Sequence, residues 1–148
     1  MPSTEKVSIR DANSDDIEEI TSLMTDLGYP ATVAEMQNRL KDIFAHTDYR
    51  TIVAISGTEM IGMAGFAKGL YYEKNGNYLR ILAFVVKQEH RNRGIGELLI
   101  SASEDWAKEQ GLKTVLISSG NRDERNAAHA FYQKMGYAIK SSGFVKEL

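Results

Sequence analysis

The sequence predicts a mixed α/β fold, a central mixed sheet flanked by helices, and three observations carry that prediction. Apolar residues recur at helical spacing in two stretches near the start of the chain. Short runs rich in β-branched and aromatic residues follow, separated by glycine-containing turns. The longest apolar run, "YLRILAFVV" (78–86), then passes through a glycine-rich turn into an amphipathic stretch and on to "TVLISS" (114–119). That is a strand, a helix and a strand in succession.

Taken in order, residues 7–12 alternate and read as a strand. Ser14 is placed to cap a helix whose stripe is Ile17, Ile20, Leu23, Met24 and Leu27, stopped by Gly28. Thr32 and Glu35 make a capping box for a second helix that buries Val33, Met36, Leu40, Ile43 and Phe44. Residues 51–56 and 60–69 flank "GTE" and read as a hairpin. "YYEKNGN" (71–77) is a polar loop, and 78–86 reads as a central strand. A helix follows through 97–110, closed by Gly111, and 114–119 reads as a buried strand. "GNRDER" (120–125) is a loop, "NAAHAFYQKM" (126–135) a helix closed by Gly136, and 137–148 strand-like material. The predicted order is βααβββαβαβ, one domain over residues 1–148.

Composition narrows the function. The 148 residues are 43% hydrophobic and 26% charged, without an apolar run long enough to span a membrane or an apolar leader near the start. No cysteine is present, which excludes disulfides, thiolate nucleophiles and cysteine-held metals together. A cytoplasmic location is the simplest expectation. A net charge of −2 argues against a general nucleic-acid binder. Charge is unevenly spread: residues 1–48 hold ten acids against four bases, so the back of the chain is basic. Either these are solvated helix faces, or a cationic partner meets one end and an anionic one the other. Three scattered histidines without an i,i+4 pair give no metal site. Trp106 reads as core.

The turn "HRNRGIGELL" (90–99) places Arg91, Arg93, Gly94, Ile95 and Gly96 between an apolar strand and a helix. A helix start has unpaired N–H groups and about half a positive charge. Glycines let a phosphate approach the backbone, and arginines add charge-assisted hydrogen bonds. Lys87 and His90 extend the basic run. A P-loop is excluded because no Lys-Ser/Thr pair follows Gly96, and a dinucleotide fingerprint fails at Leu99. From spacing alone the turn is either an anion cradle or an ordinary strand-to-helix connection.

With its context the turn resembles the acetyl-coenzyme A motif of GNAT-type N-acetyltransferases, R/Q-x-x-G-x-G/A, with Arg91, Gly94 and Gly96 in the fixed positions. Downstream, "NAAHAFYQKMGY" is similar to the family's second signature, an asparagine, an Ala-rich helix, Phe-Tyr and a closing Gly-Tyr. The resemblance covers residues 80–140 closely and the rest through element order. It implies a GNAT-like acyltransferase fold and acetyl-CoA as co-substrate, with no metal. The cofactor arm would lie in a V-shaped gap between residues 79–86 and 114–119, along the main chain of Phe84 and Val86. Arg91, Arg93, Gly94, Ile95 and Gly96 would hold the pyrophosphate, and a backbone N–H near Val86 would stabilise the developing oxyanion. Asn126 matches the cofactor-contacting asparagine, although asparagine at a helix start is also a common cap. Tyr132 matches the tyrosine that protonates the departing thiol, although packing beside Phe131 is its bland alternative.

One departure stands out. Where histone-type members carry a glutamate base, this chain has Arg80, and residues 79–86 hold no carboxylate. The base must then be Glu73, Tyr71, Tyr72 or water. The resemblance implies transfer of acetyl to a primary amine, and the acidic front half, with Tyr29, Tyr49, Tyr71, Tyr72 and Tyr78, favours a small cationic metabolite or antibiotic-like amine. The alternatives are a non-catalytic acyl-CoA-binding sensor and a protein lysine or N-terminal acetyltransferase. A homodimer joined through the last strand is a further expectation from the family.

Overall fold

The structure, a computed structural model, describes residues 6–118, 126–139 and 144–148. The chain divides into two compact units, Met1–Ser118 and Ser119–Leu148.

The first unit is built on a five-stranded sheet in the order β1-β2-β3-β4-β5. β1 (Val7–Asp11), β2 (Tyr49–Ser56), β3 (Glu59–Leu70) and β4 (Asn77–Val86) are antiparallel neighbours, and β5 (Val115–Ile117) runs parallel to β4. The two-residue turn at Gly57 and Thr58 makes the expected β2–β3 hairpin. The helices α1 (Ile17–Leu27) and α2 (Val33–Ala45) lie between β1 and β2 in the chain, and α3 (Ile95–Glu109) is the crossover from β4 to β5.

Periodicity decides which face each helix covers. Ile20 and Leu23 of α1 and Met36 and Leu40 of α2 pack with Val53, Met60, Met63 and Val85 on one face of the sheet. α3 covers the other face, where Leu99 and Ile100 are buried and Phe66 meets Trp106 at 5.4 Å between ring centroids. Gly62 permits that packing. A Cβ there would stand 3.0 Å from the Val85 carbonyl oxygen and 3.1 Å from Leu99 Cδ1. Trp106, expected in the core, is only half-buried: it packs on Phe66 from one side and lies under Arg50 and Lys68 at the margin of α3.

The predicted caps hold. Thr32 and Glu35 form the capping box, and Gly28 ends α1 with a left-handed φ of 105°. The start of α1 differs from expectation: Asn13, not Ser14, caps a short 3-10 turn, and Asp16 joins it. Asp16 is buried, accepts from the Asn13 amide at 2.9 Å, and is gripped by both terminal nitrogens of Arg10 at 2.7 and 2.8 Å. Arg10 holds its carboxyl below the ordinary carboxylate value. Three further expectations are corrected. Val33 and Phe44, expected in the core, are exposed because they sit at the two ends of α2, beyond the sheet it covers. β5 is half-exposed rather than buried, with Leu116 41% exposed, because it is the sheet's edge strand. No strand forms over residues 137–139 or 144–148, where Ile139, Phe144 and Val145 are exposed; residues 140–143 lie outside the described residues.

The second unit contains α4 (Asn126–Lys134). Gly136 turns the chain after it with a φ of 96°, and the Tyr137 amide donates to the Tyr132 carbonyl at 3.0 Å.

Candidate active site

The site begins with a register fault in β4. β3 pairs with β4 as Gly65↔Ala83 and then Phe66↔Ile81, so Leu82 is an extra residue, a bulge. Below the bulge, β4 faces β5: the Leu79 amide donates to the Thr114 carbonyl at 2.9 Å, and the Ser118 amide to the Ile81 carbonyl at 3.2 Å. Among the described residues the ladder to β5 covers Leu79–Ile81. Above the bulge the alternation is shifted. The Lys87 amide donates to the Ile61 carbonyl of β3 at 2.8 Å, so main-chain groups of residues 83, 85 and 87 turn toward β3. Those of Phe84 and Val86 therefore turn to the opposite side.

β4 then enters the glycine-arginine turn. Gln88–His90 form a 3-10 turn, and Arg91 folds back so that its Nε donates to the Val86 carbonyl at 3.1 Å. Asn92 takes a left-handed φ of 64° and Gly94 one of 80°. Gly94 is the residue before α3, and no side chain caps the helix start. A Cβ at Gly94 would meet nothing within 4 Å, so the ground above this helix end is open. Ile95 contributes through its amide alone, since its side chain is buried. Arg93 is exposed, and Gly96 follows one residue into the helix. Arg91, Arg93, Gly94, Ile95 and Gly96 are thus gathered in one turn, joined to the Val86 end of β4 by the Arg91 hydrogen bond. The donor set, an uncapped helix start with two arginines, fits a pyrophosphate.

Lys87 and His90 are employed differently from the sequence reading. Glu59 accepts from Lys87 Nζ at 3.3 Å and lies 3.4 Å from His90 Nε2, tying the turn to the start of β3. Lys87 is the main reason the Glu59 carboxyl lies below its ordinary value. Arg80 of β4 donates through Nε to Ser118 Oγ, one residue beyond β5, at 2.8 Å. The base candidates Glu73, Tyr71 and Tyr72 stand at the opposite end of β4. Five residues separate Asn77 from Leu82, roughly 16 Å of extended strand. Tyr71 packs on Tyr78 at 4.9 Å with Lys74 over its ring.

Tyr132 is half-buried on α4, with ring centroids 5.9 Å from Phe131 and 6.5 Å from Tyr137. Asn126 opens α4, and its side chain lies outside the described residues. Sequence reading missed the Leu82 bulge, the Arg91 tether, the Glu59 tie and the Ser118 anchor. The bulge, the Glu59 tie and the Ser118 anchor depend on which strand lies beside which, and the Arg91 tether on how the turn folds back on β4. Only the asparagine between two arginines hinted at a left-handed residue in the turn.

Among the described residues the sheet holds one parallel pair, β4 with β5, and the glycine-arginine turn stands at the tip of β4 and opens α3. Residues 16–137 match the acetyltransferase (GNAT) family, and the chain belongs to that family. It is an acyltransferase. It is 30% identical to YhdJ of Bacillus subtilis (strain 168), an uncharacterized N-acetyltransferase, over 125 residues covering 84% of this chain and 86% of that one. A GNAT family acetyltransferase from Staphylococcus aureus subsp. aureus USA300_TCH1516 superposes with TM-score 0.81 at 37% identity, over 96% of this chain and 98% of that one. The aminoglycoside N-acetyltransferase AAC(6')-Iy, solved in complex with CoA, superposes with TM-score 0.85 at 16% identity, over 100% of this chain and 98% of that one. At that identity the likeness is one of fold.

Proposed function

We propose that the protein transfers an acetyl group from acetyl-CoA to the primary amine of a small molecule. The observation that carries this reading is that β4 runs through Val86 into an uncapped helix start flanked by Arg91 and Arg93. Acetyl-CoA supplies an acetyl group activated as a thioester. The chain supplies binding, orientation and proton handling. The amides at the start of α3, with Arg91 and Arg93, hold the pyrophosphate. The main chain of Phe84 and Val86 receives the arm in the manner of an added strand, and the Val86 amide faces the reacting carbonyl oxygen. Asn126 contacts the cofactor. Tyr132 gives its phenolic proton to the sulfur as the carbon–sulfur bond breaks. The two groups are close to matched, with ordinary values of about 8–9 and about 10. The amine nitrogen forms the new bond and loses its proton to water.

Aminoglycoside acetyltransferases among the structural neighbours support a small-molecule amine as acceptor. A cationic metabolite is the reading that the acidic front half favours. Several of those acids are already engaged, however: Asp16 by Arg10, Asp11 by Arg50 and Glu35 by Thr32 and Arg39. The test is thiol release from acetyl-CoA with polyamines, aminoglycosides, amino acids and basic peptides. Tyr132→Phe should lower kcat about 100-fold while leaving the KM for acetyl-CoA within a few-fold. Unchanged turnover in that variant removes Tyr132 as the acid. Thermal stabilisation by acetyl-CoA without turnover of any amine makes the protein a sensor instead.

A further inference from the structure

We propose that Arg80 selects the acceptor by binding a carboxylate, so that the amine acetylated is that of an amino acid or a close amino-carboxylate. This inference rests on the acetyltransferase reading above. Its first support is the state of Arg80 itself. Arg10, Arg39 and Arg50 each face a carboxylate, and Arg91 bonds to a main-chain carbonyl. Arg80 faces no acid among the described residues, yet it is not a loose surface chain. Ser118 Oγ takes its Nε, which fixes the plane of the guanidinium and leaves the two terminal nitrogens as a fork. A fork of that kind matches a carboxylate bidentately, and a fixed one loses little freedom on binding.

The second support is the surface beside it. Register puts Tyr49, Ala67 and Arg80 in one row across β2, β3 and β4, and Thr51, Gly65 and Ala83 in the next. Both rows lie on the face that α1 and α2 cover farther along, at Val53, Met63 and Val85. Here the floor is made of Ala67, Gly65 and Ala83, and Tyr78 folds aside over Gly69, whose Cβ would come within 2.4 Å of its ring. Leu82 beside Arg80 remains 41% exposed. Thr51 is 7% exposed, and its hydroxyl oxygen lies 4.0 Å from a Cβ built on Gly65. That hydroxyl makes no hydrogen bond among the described residues. A buried hydroxyl without a partner costs on the order of 1–3 kcal/mol, a cost that a ligand on this floor relieves.

These features specify one geometry. Strands β2 and β4 are two places apart in the sheet, about 10 Å. An amino acid with its carboxylate on the Arg80 fork has its amine two bonds from the carboxyl carbon, beside the Leu82 bulge. Its side chain then crosses Ala67 and Gly65 toward Thr51 and Tyr49. The guanidinium that replaces the histone-type glutamate becomes the feature that chooses the substrate.

The test pairs amines that differ only in the carboxylate: ornithine with putrescine, tyrosine with tyramine, phenylalanine with phenethylamine. Thiol release is measured for the wild type, Arg80→Gln, Arg80→Lys and, as a control on a surface pair of α2, Arg39→Gln. The wild type should favour at least one amino acid over its partner. Arg80→Gln should cut that selectivity about 100-fold, mainly by raising KM, and Arg80→Lys about 10-fold, since an ammonium replaces the charge without the fork. Arg39→Gln should leave it in place. Preference for the amines lacking a carboxylate, or selectivity unmoved in Arg80→Gln, overturns the proposal and leaves the acetyltransferase intact. Calorimetry of the same amino acids against the wild type with CoA present gives a second readout, and no binding of any of them also overturns it. Failure of acetyl-CoA to raise the melting temperature, with no amine turned over, overturns the acetyltransferase reading and this one with it.

Discussion

Two helix starts in this chain are built by opposite means. α2 closes its own end: Thr32 accepts from the Glu35 amide at 3.1 Å, and Glu35 accepts from the Thr32 amide at 2.9 Å. α3 begins after Gly94 in a left-handed conformation, with no side chain on its first amides and open space above. A chain that can write a capping box and does not write one at Gly94 has left those donors for something else. The cost is a slightly less stable helix start, about a few tenths of a kcal/mol for glycine in place of a capping side chain. What is gained is a fixed cluster of N–H groups and arginines for an anion.

The comparison breaks most sharply at Gly96. Aspartate there removes a helix-interior glycine and adds an acid to the first turn, both mildly favourable to folding. The same carboxylate sits where a pyrophosphate is to bind. Gly96→Asp should hold or slightly raise the melting temperature while lowering affinity for acetyl-CoA about 100-fold by calorimetry. Loss of stability and affinity together would make the turn a structural connection. Arg91→Ala is the next step down. It removes a cation and the bond to the Val86 carbonyl, and should weaken acetyl-CoA about 10-fold and stability by about 1 kcal/mol. The complementary change is Thr32→Ala, which should lower the melting temperature by about 2–4 °C in thermal unfolding and leave the KM for acetyl-CoA unchanged.

How much of this was legible follows from the range of each interaction. The Thr32–Glu35 box, the Gly28 stop, the β2–β3 turn and the stripes of α1 and α3 are local, and the sequence displayed them directly. The glycine-arginine turn was legible as a motif because its residues are neighbours. The Leu82 bulge was not, because "YLRILAFVV" is apolar on both faces and hides a one-residue slip. Nor could the sequence say that Arg80 meets Ser118, 38 positions away, or that Thr51 lies opposite Gly65. The strand-like pattern at 137–139 and 144–148 misled for the reverse reason: a strand exists only with a partner, and apolar residues alone do not supply one.

The smallest expected effect concerns what holds the open turn in place. Glu59 ties Lys87 and His90 to the start of β3, and the Lys87 hydrogen bond in particular keeps its carboxyl below the ordinary 4.5. A carboxyl held low in the folded chain binds fewer protons there than in the unfolded chain. The stability it contributes is therefore complete above about 4.5 and drains as pH falls through the lower folded value. Glu59 is half-exposed, so the contribution is under about 1 kcal/mol. Glu59→Gln should lie slightly below the wild type in denaturant unfolding at pH 7, and the two should converge in acid below the folded value. Divergence that persists in acid would show that Glu59 acts through packing. If acetyl-CoA binding at pH 7 were also unchanged, the turn's shape would rest on Arg91 and the left-handed residues 92 and 94.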